Sequence, residues 1–106
     1  MQAFKIDLTD YTVMTPDLKT MPYLVRDSMC SILMNPELQL NGTELLRRNK
    51  VAEKILEAGD EILLSDEEMG FLRQGADAVK GLAKNDVQLV KRILEAEQVE
   101  VAEQID

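Results

Sequence analysis

The side chains of this chain that could perform chemistry are mainly carboxylates. Five of them lie within nine residues, in the stretch DEILLSDEE at 60–68. Such a run could attract a divalent cation, but it lacks the alternating oxygen ligands of a calcium loop. The pattern Ser65-x-x-Glu68 instead matches a helix capping box, in which each side chain accepts a hydrogen bond from the other residue's backbone N–H. The sequence therefore predicts structural caps at Ser65 and Glu68 and no metal site.

Other catalytic residue types are scarce. The chain contains no histidine, the commonest general base and zinc ligand, and Cys30 is its single cysteine. A lone cysteine on the apolar side of a predicted helix is typical of a core thiol. No Walker A sequence, dinucleotide-binding glycine motif or EF-hand loop is present. We therefore expect a protein that is not an enzyme and that uses no cofactor.

A basic cluster lies in the stretch LLRRNKVAEKIL, which contains Arg47, Arg48, Lys50 and Lys54. A DNA-recognition helix is one interpretation of this cluster. Interspersed glutamates favour a solvated helix face instead, because they pair with the cations along the helix. Arg47 and Arg48 remain candidates for contact with an acidic partner.

The net charge is −8 and it is unevenly distributed. Residues 1–53 carry six basic and seven acidic side chains, whereas residues 54–106 carry six and thirteen. The second half would repel a phosphate backbone, so we expect no direct binding to nucleic acid. The excess carboxylates of this half form either a solubilising surface or a surface that binds a basic partner. The candidate partner-binding carboxylates are Asp60, Glu61, Glu95, Glu97 and Glu100.

The N-terminal stretch AFKIDLTDYTV alternates apolar and polar residues, which is typical of a half-buried strand. Tyr11 and Val13 could continue this strand after a turn at Thr9 and Asp10. The sequence therefore predicts a hairpin or strand over residues 1–14.

Helical periodicity predicts about four helices in a core spanning residues 20–97. The first is capped by Thr20 and stops at Asn35-Pro36, because a residue before proline avoids the helical region. The second is capped by Thr43, ends with Gly59 as a left-handed cap, and has an apolar face of Leu45, Ala52, Ile55 and Leu56 that Leu46 broadens.

The third helix begins at Ser65, and its glycines Gly70, Gly75 and Gly81 either permit close packing or break the helix. A cap at Asn85 begins the final helix. The acidic tail, residues 98–106, either frays or forms a last extended stretch at Val99 and Val101.

These elements predict a single domain over residues 1–106, of a mainly α (α+β) class. The architecture is a compact bundle of about four helices with a short N-terminal β-hairpin. The N-terminus has no signal-peptide pattern and no apolar run exceeds three residues, so we expect no contact with a membrane.

The stretch LLRRNKVAEKILEAGDEILLSDEEMGFLRQ resembles a recurring pattern in small phage and prophage proteins. There, a helix of the type Leu/Tyr-x-x-Ala-x-x-Ile leads to Val-x-Leu-Ser/Thr-x-Glu-Glu/Asp and to another helix. The corresponding residues here are Val51, Ala52, Ile55, Leu63, Ser65, Glu67 and Glu68, and the likeness covers roughly residues 20–97. This family has no settled biochemical role and no catalytic residues. The resemblance implies a phage-encoded accessory protein of the bacterial host cytoplasm or the virion.

The sequence thus predicts a non-enzymatic phage-encoded protein that acts by protein–protein interaction with a host or phage protein. One version is an acidic inhibitor of a bacterial defence complex, which would dock on a basic nucleic-acid-binding surface. The alternative is a structural or assembly protein, or a chaperone, of the tail or head–tail region. Six methionines and four apolar helix faces exceed what a small bundle hides, which also predicts a homo-oligomer.

Overall fold

A computed structural model describes residues 2–101, which form five strands, four α-helices and two 3-10 turns. The strands are β1 (Gln2–Asp7), β2 (Tyr11–Met14), β3 (Thr20–Tyr23), β4 (Glu61–Leu64) and β5 (Glu97–Glu100). The helices are α1 (Val25–Leu33), α2 (Gly42–Glu57), α3 (Asp66–Ala78) and α4 (Val87–Leu94), and the 3-10 turns are Pro36–Leu38 and Lys84–Asp86. The α+β class with four helices is confirmed.

β1 is the central strand of a three-stranded antiparallel sheet with the order β4-β1-β5. Phe4 lies opposite Leu64 and Ile6 lies opposite Ile62. Because side chains alternate between the two faces of a strand, these four residues share one face. That face packs on α3 and α4. α1 packs on α2 and α3. One cluster of buried side chains therefore joins β1, β4 and all four helices.

The predicted hairpin over residues 1–14 is wrong in its pairing, because β2 pairs with β3 in a separate two-stranded sheet. The Asp7 carboxylate accepts hydrogen bonds from the Thr9 backbone N–H (2.8 Å) and hydroxyl (2.6 Å), which ends β1 and turns the chain. Both edges of β1 are already occupied, by β4 and β5. The second strand of the hairpin is instead Thr20–Tyr23, which the sequence assigned to a helix.

The predicted cap at Thr20 is therefore also wrong, and α1 begins at Val25. Leu24 precedes the helix and offers no capping side chain. The Val25 N–H instead donates to the Asp10 carboxylate at 2.9 Å. A cap supplied from fifteen residues away leaves no local sequence signal. The predicted stop before Pro36 is confirmed, since α1 ends at Leu33.

The predicted cap at Thr43 is wrong, because α2 begins at Gly42 and its cap is the Asn41 side chain, which accepts from the Glu44 N–H at 2.9 Å. At its C-terminus the predicted left-handed cap at Gly59 is wrong. Ala58 is the cap residue and is extended, and Gly59 has no positive φ. The helix buries Arg48, Val51, Ala52 and Ile55, while Leu45, Leu46 and Leu56 are exposed.

The capping box at the start of α3 is confirmed. The Glu68 N–H donates to the Ser65 hydroxyl at 3.2 Å, and the Ser65 N–H donates to the Glu68 carboxylate at 2.9 Å. The Lys54 ammonium lies 3.0 Å from the same carboxylate. Burial raises the pKa of Glu68, but the hydrogen bond from Ser65 and the charge of Lys54 outweigh it and hold the pKa below the ordinary 4.5.

We expect Ser65→Ala to lower the free energy of unfolding by about 1 kcal/mol, the usual value of an N-cap. Glu68→Gln should also destabilise at neutral pH. Because the folded pKa of Glu68 is lowered, its contribution is present above the unfolded pKa and disappears as the pH falls through the folded value. Urea denaturation at pH 7 and pH 3 checks this, and a Glu68→Gln penalty that is unchanged at pH 3 would contradict it.

Gly75 permits close packing of helices, which was one of the two alternatives for the glycines of α3. The helix runs unbroken from Asp66 to Ala78. A Cβ on Gly75 would lie 2.9 Å from the carbonyl carbon of Ile32 in α1 and still closer to its oxygen. The chain leaves the helix before Gly81, whose φ of 82° favours glycine.

Two predictions about the C-terminal region need correction. The predicted cap at Asn85 is wrong, because the 3-10 turn Lys84–Asp86 precedes α4. Fraying beyond Gln98 is wrong for residues 98–100, which belong to β5, and the extended alternative is confirmed for Val99. The rest of the predicted acidic tail, residues 102–106, lies outside the described residues.

Candidate interaction site

A β-hairpin arm, residues Tyr11–Tyr23, stands apart from the buried core. It consists of β2, a tight turn and β3, and none of its residues is fully buried. The Tyr11 and Tyr23 rings stack at its base, with centroids 4.7 Å apart and planes inclined by 10°. These two rings also pack against the core, and so they attach the arm to the domain.

Both tyrosine hydroxyls bind the 3-10 turn that precedes α4. The Tyr23 hydroxyl donates to the Asp86 carboxylate at 2.5 Å, and the Tyr11 hydroxyl donates to the Asn85 carbonyl at 2.7 Å. Burial and the neighbouring Asp86 raise the pKa of Tyr23. Both phenols therefore stay neutral donors at physiological pH, and the base of the arm is fixed.

Arg92 of α4 adds a third attachment. Its guanidinium lies 5.2 Å from the centre of the Tyr11 ring and donates to the Thr9 carbonyl at 2.6 Å. It also lies 3.7 Å from the Asp7 carboxylate. Hydrogen bonds from Thr9, aided by the charge of Arg92, lower the pKa of Asp7. Arg92 thus ties the end of β1 to the start of the arm.

The tip of the arm is a strained turn. The Leu18 N–H donates to the Thr15 carbonyl at 3.0 Å, and the Thr15 N–H donates to the Lys19 carbonyl at 2.8 Å. Pro16 occupies the second turn position, which its fixed φ favours. Leu18 has a φ of 65°, a left-handed conformation that normally calls for glycine or asparagine, and its side chain is 79% exposed.

The arm is a hairpin in which Pro22 costs no ladder hydrogen bond. Thr15 and Lys19 form a hydrogen-bonded pair, and such pairs alternate along an antiparallel ladder. The pairs whose backbone groups bond to each other are therefore Val13–Met21 and Tyr11–Tyr23. In the pairs Thr12–Pro22 and Met14–Thr20, the backbone N–H and C=O groups point away from the partner strand. The outer edge of β3 carries Pro22 and offers no donor there, whereas the outer edge of β2 keeps its N–H groups.

A groove of about 820 Å³ separates the arm from α4 and the turn before it. The outer edge of β2 faces this groove, because the Met14 carbonyl accepts from the Asn85 side chain at 3.5 Å. Met14, Leu18 and Val87 contribute apolar walls, and each is at least half exposed. The charged residues that line the groove are Lys84 and Lys91, both basic. The groove thus combines an open strand edge, apolar walls and positive charge in an acidic chain.

The predicted carboxylates lie on or beside both edge strands of the sheet, and Glu61 and Glu97 share its exposed face with Lys5. Glu61 of β4 lies 3.3 Å from the Lys5 ammonium, and Glu97 of β5 is the direct cross-strand partner of Lys5 on β1. Asp60 precedes β4, and its backbone carbonyl accepts from the Leu8 N–H at 2.7 Å. Asp60 and Glu61 are therefore at one edge of the sheet.

The other three predicted carboxylates lie at or near the opposite edge. Glu95 ends α4, while Glu97 and Glu100 lie on β5. The acidic candidates therefore belong to the two edges of the sheet, and Glu61 and Glu97 flank Lys5 of β1 on the same face.

The prediction that Arg48 contacts a partner from the surface is wrong. Arg48 is 3% exposed, its guanidinium lies 4.7 Å from the centre of the Phe71 ring, and it donates to the Gln74 side chain. Its Nε is buried without a hydrogen-bond partner. Arg47 is exposed, so the two arginines do not form one basic patch.

The described residues offer little for metal or thiol chemistry. Within residues 2–101 no three His, Cys, Asp or Glu side chains are grouped to hold a metal ion. Cys30 is half-buried, and burial followed by the charge of Asp27 raises the pKa of its thiol. In the same range, no helix has both the length and the apolar composition needed to cross a membrane.

Fold and site together define a small α+β domain with a projecting β-arm beside a basic apolar groove. Comparison with protein-family models, with curated proteins and with solved structures found no match to this chain.

Proposed function

We propose that this chain is a non-enzymatic accessory protein that acts by protein–protein interaction, with the arm and the adjoining groove as its docking surface. The proposal rests on the backbone conformation and the exposure of Leu18 at the tip of the arm. A left-handed conformation costs a leucine roughly 1–2 kcal/mol, which glycine would avoid. The side chain is 79% exposed and gains little burial within the monomer. Its presence at the tip is explained if a partner buries it.

The surroundings of Leu18 support the same proposal. Met14 and Val87, which are 57% and 50% exposed, line the same groove. Met21 on the neighbouring strand is 50% exposed. Exposed apolar side chains concentrated at one place and rimmed by lysines are typical of a protein interaction site.

Among interaction proteins, we favour a phage structural or assembly protein, or an assembly chaperone, located in the host cytoplasm or the virion. The resemblance of residues 20–97 to small phage proteins supports the phage origin. An open strand edge beside apolar walls supports assembly, because strand addition is a common mode of joining protein chains.

A specific observation also supports an acidic inhibitor of a bacterial defence complex as a second candidate. Between residues 53 and 68, Lys54 is the one cation among seven carboxylates. Six of these are exposed: Glu53, Glu57, Asp60, Glu61, Asp66 and Glu67. Such a surface could meet a basic nucleic-acid-binding protein, although it does not include the groove.

Affinity capture from infected bacteria tests the proposal with Leu18→Gly and, as a matched control, Leu46→Ala. Leu46 is also exposed, at 66%, but it lies on α2 and does not line the groove. We expect Leu18→Gly to keep or raise the melting temperature, since strain is relieved, and to lose the partner that wild type and the control retain.

The identity of the captured proteins then separates the two candidates. Virion proteins or further copies of this chain indicate assembly, whereas a host nucleoprotein complex indicates inhibition. A Leu18→Gly variant that retains its partner as well as wild type does would refute the docking surface.

A further inference from the structure

We infer that the groove binds the acidic segment 101–106 of a second copy of this chain, added as a β-strand along the outer edge of β2. This inference rests on the proposed function, because it names the occupant of the same docking surface. Copies joined in this way would be arranged head to tail.

The groove selects an extended, acidic occupant. The outward-pointing N–H groups of Thr12 and Met14 have no hydrogen-bond partner within residues 2–101. The carbonyl groups of an incoming strand would accept hydrogen bonds from these two N–H groups. The outer edge of β3 is a poorer site for strand addition, because Pro22 has no N–H to donate. Lys84 and Lys91 are the charged groups on the opposite side of the groove, and both are exposed. They would attract carboxylates and repel a basic strand.

The segment that continues β5 has the matching chemistry. Residues 95–106 read EAEQVEVAEQID and contain five carboxylates and no cation. Val99, Val101 and Ile105 have the same parity, so in an extended strand they would lie on one face. Glu103 and Asp106 supply charge within the segment that we assign to the groove. An apolar face with acidic neighbours fits a groove with apolar walls and two lysines.

The topology favours a second copy over the segment of the same chain. β5 runs antiparallel to β1, so Glu100 lies opposite Gln2, at the end of the sheet away from the arm. From Gln2 to Asp7 alone, β1 spans about 17 Å in the opposite direction. A six-residue segment reaches at most about 20 Å and would have to reverse its course and pass the sheet before it reached the groove.

A tail-to-groove contact uses different surfaces on the two copies. Such heterologous contacts close into rings or extend into open filaments, according to the rotation between copies. Either product suits a protein of phage assembly, which must present many copies of one site in a regular array.

Sedimentation velocity over a range of concentrations tests the inference with two full-length variants. The groove variant is Lys84→Glu/Lys91→Glu, and the tail variant is Glu103→Lys/Asp106→Lys. We expect wild type to self-associate and each variant to associate at least ~10-fold more weakly, because charge reversal replaces attraction by repulsion. A chain that carries all four substitutions should regain self-association. Unchanged melting temperatures show that the variants remain folded.

A mixture of the two variants provides the decisive measurement. The groove variant keeps a wild-type tail and the tail variant keeps a wild-type groove, and the reversed tail of one also matches the reversed groove of the other. An equimolar mixture should therefore regain the association that each variant alone has lost. A monomeric wild type, or a tail variant that associates like wild type, would overturn the inference. The docking surface itself would still stand if Leu18→Gly lost its captured partner, so the two proposals can fail separately.

Discussion

Replacing Gly75 by alanine should lower the free energy of unfolding by about 2 kcal/mol, although alanine is the better helix former. Overpacking of a well-packed interior typically costs ~1–3 kcal/mol, and the upper end applies where the obstacle is backbone that cannot rotate away. The obstacle here is the carbonyl group of Ile32. The gain in helix propensity returns about 1 kcal/mol.

Gly70 provides the matched control within the same helix. It is exposed, and a Cβ added there meets no atom within 4 Å. Gly70→Ala should therefore raise the free energy of unfolding by about 1 kcal/mol through helix propensity alone. Urea denaturation of both variants measures the difference. A Gly75→Ala variant that is as stable as Gly70→Ala would show that α1 and α3 are not in close contact at Gly75.

The number of helices, the start of α3 and the end of α1 were predictable because their signals are local. Ser65 and Glu68 are three residues apart, and each completes the other's hydrogen bonding within one turn of helix. The stop before Pro36 depends on one residue and its neighbour. Stripes of apolar residues at helical spacing fixed the number of helices, but not every face: Leu45 and Leu56 are exposed because α2 is covered on one side only.

Residues Tyr11 and Val13 were predicted as extended, but their pairing was not, because distant strands occupy both edges of β1. The strands that flank β1 lie more than fifty residues away in the chain. One local signal was present: Thr15-Pro16-Asp17 has the composition of a tight turn between two β-prone stretches. That signal would have placed β2 and β3 on either side of the turn and moved the start of α1 to Val25.

The groove was beyond sequence reasoning for the same reason. Tyr11 and Asn85, which join its two walls, are 74 positions apart. The acidic candidates followed from composition alone, which cannot place Asp60 and Glu61 at one edge of the sheet and Glu95, Glu97 and Glu100 at or near the other. The burial of Arg48, in contrast, was visible in the spacing. Position 48 is three, four and seven residues before the buried Val51, Ala52 and Ile55.

The second large effect on stability is expected at Arg48. Two substitutions compare the contribution of its aliphatic stem with that of its charge. Arg48→Ala should lower the free energy of unfolding by about 3 kcal/mol, within the usual range for truncating a large buried side chain. The loss includes the packing of the aliphatic stem and the contact with Phe71. Arg48→Met keeps a stem of similar shape and should cost less than about 1.5 kcal/mol.

Arg48→Met is expected to cost less than Arg48→Ala because the buried guanidinium charge of Arg48 has few compensating partners. The ion pairs within residues 2–101 do not include Arg48, and its Nε is buried without a partner. Removing a buried charge of this kind recovers desolvation free energy and offsets the lost hydrogen bond to Gln74. Gln74 is exposed, so water can replace the guanidinium as its partner.

Arg47→Ala is the control for a neighbouring arginine on the surface, and it should change the free energy of unfolding by less than about 0.5 kcal/mol. Urea denaturation at one pH and one salt concentration compares the three variants. If Arg48→Met proves as damaging as Arg48→Ala, the guanidinium stabilises the fold through its charge. Arg48 would then need an anionic partner other than the side chains of residues 2–101. If the methionine variant retains nearly the stability of wild type, Arg48 acts as a core residue whose stem fills the space between α2 and α3.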